Sequence, residues 1–132
     1  MEPFNGTETL LNERNWVTNV TILSGDLRGN DGANFANNAD NSYHVVSNYS
    51  NGINNNAILD GFTIRGGNAN GSNEQDKWGG GMQNSVTSPT VRNCVFTGNF
   101  ASTCGGGMAN QVSSVPVVTN CTFSGNSATL GG

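Results

Sequence analysis

Acidic and amide side chains gather in one stretch of the chain, Asp26-Leu27-Arg28-Gly29-Asn30-Asp31-Gly32 and onward to Asp40. Carboxylate and amide oxygens interleaved with turn-forming glycine suit a hard divalent cation, which makes Asp26, Asn30 and Asp31 candidate Ca²⁺ ligands. The spacing departs from an EF-hand loop, because Arg28 stands where the second ligand belongs and no Glu closes the loop. A plain Asx-turn loop is the competing reading. A second loop, from Arg65 to Trp78, carries Glu74, Asp76 and Lys77 beside the indole. An aromatic face with polar neighbours can stack on a sugar ring, so Trp78 and Asp76 are the candidate ligand contacts, against a Trp78 that merely covers the edge of a core.

Other reactive types are sparse. His44 is the only histidine, so the chain cannot build a multi-His metal site and has just one base for a His-dependent triad. From Lys77 onward there is no Asp or Glu, which argues against paired-carboxylate chemistry on the C-terminal half. The runs Gly79-Gly80-Gly81 and Gly105-Gly106-Gly107 are not followed by Lys-Ser/Thr and are not phosphate cradles. No catalytic residue and no cofactor other than Ca²⁺ is assigned, and a non-enzyme is expected.

The elements that must position these residues are legible as a repeat. Four segments align without gaps: Val17 to Ile22, Leu59 to Ile64, Val91 to Phe96 and Val118 to Phe123. Each reads aliphatic, polar, Asn or Gly, apolar, Thr or Val, large apolar. Their third positions, Asn19, Gly61, Asn93 and Asn120, lie 42, 32 and 27 residues apart. The glycine triplets recur with Met82 and Met108 after them, and Phe96-Thr97-Gly98-Asn99 returns as Phe123-Ser124-Gly125-Asn126. The period-two alternation within each segment is that of a strand with one buried face, whereas helices would need longer segments and a 3.6-residue apolar period.

Repetition of the same residue types at these intervals predicts stacked coils: an all-β, right-handed parallel β-helix of about four coils. One unit spans 1–132, with irregular long-loop coils over 1–78 and regular coils of about 27 residues over 79–132. Interior columns are expected at Val17-Leu59-Val91-Val118, Val20-Phe62-Cys94-Cys121 and Ile22-Ile64-Phe96-Phe123, with Thr21, Thr63, Val95 and Thr122 facing out. Asn19, Asn93 and Asn120 are expected to form a structural ladder, because Asn tolerates left-handed bends and stacked amides hydrogen-bond along the axis. Cys94 and Cys121 are expected as stacked core residues rather than a disulfide. The chain stops as a further Gly-Gly begins at Gly131, which reads as a fragment of a longer helix with an end open to self-association.

Composition agrees with a turn-rich β fold. Of 132 residues 19 are Gly and 23 Asn, only 11% are charged and the net charge is −4. Five dispersed basic residues offer no stripe for a phosphate backbone, so nucleic-acid binding is not expected. No apolar run reaches the ~20 residues of a membrane span, and Met1-Glu2-Pro3-Phe4 lacks a secretory pattern.

The Phe-x-x-Asn elements at Phe96–Asn99 and Phe123–Asn126, each paired with Gly-Gly-Met at Gly80–Met82 and Gly106–Met108, resemble the repeat of chlamydial polymorphic outer-membrane proteins. The stretches Thr21 to Asp26, Asn41 to Val46 and Leu59 to Ala69 resemble a wider set of bacterial β-helix proteins of the pectate-lyase-like superfamily. That resemblance implies a secreted or cell-surface location associated with the bacterial outer membrane. It also implies adhesion to an extracellular polysaccharide or a host or cell-surface protein. A polysaccharide lyase whose active site lies in other coils, and a plain structural spacer, are the alternatives.

Overall fold

The computed structural model describes residues 6–131, so the first five residues, including the segment read for a secretory pattern, and Gly132 lie outside it. The strands are β1 (Thr21–Ser24), β2 (Val46–Tyr49), β3 (Ile58–Asp60), β4 (Phe62–Arg65), β5 (Asn68–Ala69), β6 (Met82–Ser85) and β7 (Thr90–Arg92). They continue as β8 (Val95–Thr97), β9 (Phe100–Ala101), β10 (Met108–Gln111), β11 (Val117–Thr119), β12 (Thr122–Ser124) and β13 (Ser127–Ala128). Only short 3-10 turns accompany them, and there is no α-helix among the described residues. Every strand pairing is parallel and links equivalent strands of successive repeats, in the orders β1-β4-β8-β12, β2-β6-β10, β3-β7-β11 and β5-β9-β13. The chain is therefore all-β, with parallel strands in stacked sheets, consistent with a solenoid-like fold.

The core lies where the sheets face one another. Leu59 stacks on Val91 and Val91 on Val118; Ile64 on Phe96 and Phe96 on Phe123; Val46 on Met82 and Met82 on Met108. Ile64, Val91 and Phe96 are fully buried, and Cys94 and Met82 nearly so. The Phe96 and Phe123 rings stack almost parallel, centroids 4.7 Å apart. Burying one such side chain stabilises by about 1.5–3 kcal/mol, so the middle of the stack carries most of the hydrophobic stabilisation. Phe123 and Val118, in the last repeat, remain 46% and 39% exposed because no strand among the described residues stacks on their outer side.

The first repeat is shifted by one residue from the gap-free alignment. Thr21 pairs with Phe62 and Leu23 with Ile64, so Ile22 falls beside Thr63 on the outer face, where it is 43% exposed. Val17 is exposed as well, and Thr21 points its Oγ1 into a buried position without a partner. A slip of one residue exchanges the two faces of a strand, and here it brings Leu23 onto the Ile64–Phe96 column. The outward row is Ile22, Thr63, Val95 and Thr122.

Two structural devices hold successive repeats at strand spacing. The first is amide stacking: Asn48 Nδ2 donates to Asn84 Oδ1 (2.9 Å) and Asn84 Nδ2 to Asn110 Oδ1 (2.8 Å). Asn99 Nδ2 donates to the Ile64 carbonyl (3.0 Å) and to Asn126 Oδ1 (3.0 Å), while Asn126 Nδ2 reaches the Phe96 carbonyl. The second is the absence of side chains. A Cβ on Gly67 would overlap the carbonyl oxygen of Gly80, and a Cβ on Gly80 that of Phe100.

Candidate functional site

Asn93 and Asn120 sit at left-handed bends with φ of 54° and 49°, and Asn120 Nδ2 donates to Asn93 Oδ1 at 2.7 Å. The bond lies toward the open end, with Asn93 half-buried and Asn120 exposed. Asn19 does not join them. Its backbone N–H bonds to the Asn15 carbonyl, and the register of β1 on β4 places it level with Asp60 rather than Gly61. The next rung below Asn93 is the Asp60 carboxylate, whose Oδ1 accepts from Asn93 Nδ2 at 2.7 Å. Asp60 Oδ2 accepts from Arg92 Nε at 2.8 Å and from the Arg14 guanidinium, which also lies over the Trp16 ring. Burial acts to raise the Asp60 pKa, but the bonds from Asn93, Arg92 and Arg14 outweigh it and hold the carboxyl below its ordinary range.

The loop from Asp26 to Asn41 projects from the first repeat. Asp26 Oδ1 accepts from the backbone N–H groups of Gly29 (2.7 Å) and Asn30 (3.2 Å), and Oδ2 from that of Asp31 (3.1 Å). Desolvation pushes its pKa up, and these amide bonds more than offset it, so the group sits lower than usual. Asp31 Oδ2 accepts from Asn41 Nδ2 at 2.7 Å. The arrangement around Asp26 is that of an Asx-type turn, in which the carboxylate closes the loop on itself. Phe35 anchors the loop tip edge-on against Phe100, with centroids 5.8 Å apart. Between this loop and the ends of β4 and β8 lies a cleft of about 480 Å³ bordered by Asp31, Phe35, Arg65 and Thr97.

A second cleft, of about 370 Å³, lies over the sheet β2-β6-β10. Its floor is the column Tyr49, Ser85 and Gln111, three residues in register on neighbouring strands. Its wall is the 3-10 turn Glu74–Lys77 followed by Trp78. Gln83 Nε2 donates to the Gln75 carbonyl (2.6 Å) and fastens this turn to the sheet, while Trp78 forms a parallel bridge to Cys104. Tyr49 is 52% exposed, so its ring is available to a ligand.

Comparison with protein-family models, with curated proteins and with solved structures finds no match to the chain.

The structure thus separates residues that are neighbours in sequence. Trp78 borders the second cleft, but Asp76 is not among its lining residues: it braces the loop by accepting from Asn73 Nδ2 at 2.8 Å and, through its carbonyl, from the Gly71 N–H. Glu74 and Gln75 take the polar positions beside the indole instead. Tyr49 is the cleft-lining aromatic that sequence reading missed, since it lies 29 positions before Trp78. Asp26 and Asp31 both border the first cleft, and Asn30 does not. His44 Nδ1 lies 3.0 Å from the Gly79 carbonyl and holds a loop. Cys94, Cys104 and Cys121 are free thiols, and burial pushes the Cys94 pKa up, which disfavours a reactive thiolate.

Proposed function

We propose that this chain is a non-catalytic, glycan-contacting segment of a right-handed parallel β-helix of about four coils, belonging to a secreted or cell-surface bacterial protein associated with the outer membrane. The observation that carries this reading is the second cleft, where Tyr49 and Trp78 border a space of about 370 Å³ with Glu74, Gln75, Ser85 and Gln111 among them. Aromatic faces stack on the C–H face of a pyranose, and planar carboxylate and amide groups hydrogen-bond its hydroxyls. The volume lies within the range of small-molecule sites. The resemblance of the Phe-x-x-Asn and Gly-Gly-Met elements to outer-membrane repeat proteins supports the location, and an extracellular polysaccharide is the favoured partner. The carboxylates of Asp26 and Asp60 are saturated by donors, which makes them poor general bases and favours binding over cleavage.

Titration of soluble neutral and acidic oligosaccharides, read by isothermal titration calorimetry, tests the proposal. Binding that weakens about tenfold in Trp78→Ala and in Tyr49→Ala, the scale of a lost stacking contact, is the expected result. Absence of binding across the panel would favour the spacer reading. Cleavage of any polymer that is abolished by changing one acidic residue would overturn the non-catalytic assignment.

A further inference from the structure

The loop that begins at Asp26 returns to the body of the fold through the 3-10 turn Asn38–Asp40, and β5 receives it. Asn68 donates its backbone N–H to the Ser42 carbonyl (2.9 Å) and its Nδ2 to the Asn38 carbonyl (2.7 Å), so its side chain grips the returning segment. Asn41 meanwhile gives its Nδ2 to Asp31. Among the described residues this packing leaves Asn41 Oδ1 and Asn68 Oδ1 shielded from solvent with no hydrogen-bond donor, and Asp40 Oδ2 shielded with only the Arg28 Nε beside it at 3.1 Å. Asn41 is 8% and Asn68 2% exposed. Arg28, the ion-pair partner of Asp40 among the described residues, has a side chain that is 75% exposed, so water competes for it.

Buried acceptors without donors are destabilising and rare in folded proteins, so orphaned oxygens on one docked segment and its receiving strand call for a partner. We propose that the segment 38–42, docked on Asn68, holds a hard divalent cation, Ca²⁺ in preference to Mg²⁺, through oxygens of Asp40, Asn41 and Asn68. The candidate ligands are all oxygens, one from a carboxylate held only by an exposed Arg28 and two from amides without donors, which is a donor set for Ca²⁺. Asp31 adds a second negative charge one hydrogen bond away. Ligands from separate points of a loop and a strand suit the irregular, adaptable shell of Ca²⁺ better than the strict octahedron of Mg²⁺. This set differs from Asp26, Asn30 and Asp31, because the Asp26 oxygens are consumed by backbone amides. Among the described residues no three His, Cys, Asp or Glu side chains cluster for a metal, so neutral amides dominate the shell and the affinity belongs in the weak range of about 10⁻⁴–10⁻³ M.

The test uses chelator-treated protein of the full chain. Tb³⁺ is the first probe, since Tyr43, two residues beyond Asn41, can sensitise its emission. Emission that Ca²⁺ displaces, and a melting temperature raised by millimolar Ca²⁺ but not by Mg²⁺ or by NaCl at equal ionic strength, are expected. Asp40→Asn should abolish both responses, and Asn41→Asp, which adds a carboxylate, should tighten Ca²⁺ binding about tenfold. Asp26→Asn should leave both intact. Equal responses in the parent chain and Asp40→Asn, or equal responses to Ca²⁺ and Mg²⁺, would overturn the proposal and assign the orphaned oxygens to buried water.

Discussion

Asp60 shows how one residue ties several parts of the molecule together. Its side chain is 9% exposed and faces two guanidinium groups and an amide, with Arg14 itself only 8% exposed. Removal of the carboxylate in Asp60→Ala leaves Arg14 buried without a counter-charge. A loss of about 3 kcal/mol in denaturant unfolding at pH 7 is therefore expected. Because the folded pKa is depressed, the stabilisation is complete above the unfolded value of about 3.9 and disappears as pH falls through the folded value. The stability of the parent chain should accordingly drop in that acid window. Asp60→Asn should flatten the drop there, and an unchanged acid slope would show that the carboxylate is not held by these partners. Nothing local in Leu59-Asp60-Gly61 announced this role; the bonds come from residues 46 positions before and 32 after.

At the level of elements, what could be read from the sequence is what recurs in consecutive repeats. Phe96–Asn99 and Phe123–Asn126, like the glycine triplets, appear twice at constant spacing and therefore mark stacked strands correctly. The first repeat was not legible in the same way. Val20-Thr21-Ile22-Leu23 offers apolar residues on either face, and register there is chosen by tertiary packing of Leu23 rather than by local pattern. The Asn48–Asn84–Asn110 column could have been found from the shared spacing of Val46-x-Asn48, Met82-x-Asn84 and Met108-x-Asn110. Tyr49 could not, because its place in one cleft with Trp78 depends on how the turn Glu74–Lys77 folds back. The two kinds of amide position differ in their expected energetics. Asn99→Ala, fully buried, strands the Ile64 carbonyl and the Gly67 N–H and should cost about 2 kcal/mol or more. Asn120→Ala at the exposed rung should cost under about 1 kcal/mol. Gly80→Ala, which drives a methyl into the Phe100 carbonyl, should destabilise by about 3 kcal/mol. Equal melting temperatures for the Asn99 and Asn120 variants would contradict this order.

Across the whole molecule the two ends of the stack differ. At one end Arg14 bonds to the Asp60 carbonyl and Trp16 packs against Gly61, while the segment 38–42 covers β5. At the other, no described strand stacks on β10, β11, β12 or β13 around the half-exposed Phe123 and Val118, and these strands carry no carboxylate to repel a partner. Free edges of this kind pair with other chains. For the 132-residue chain taken by itself, light scattering should show an apparent mass that rises with concentration, and amides in 115–131 should exchange faster than those around Cys94. A strictly monomeric chain with uniform protection would refute this. The amide column ending on Asp60 has an electrical consequence as well. Asn120 donates to Asn93 and Asn93 to Asp60, so both amide dipoles point their positive ends at the carboxylate, much as a helix N-terminus does for an anion. Asn120→Ala, though it does not touch Asp60, should therefore raise the titration midpoint of that carboxyl in a ¹³C NMR titration, making a remote surface amide a tuner of a buried charge.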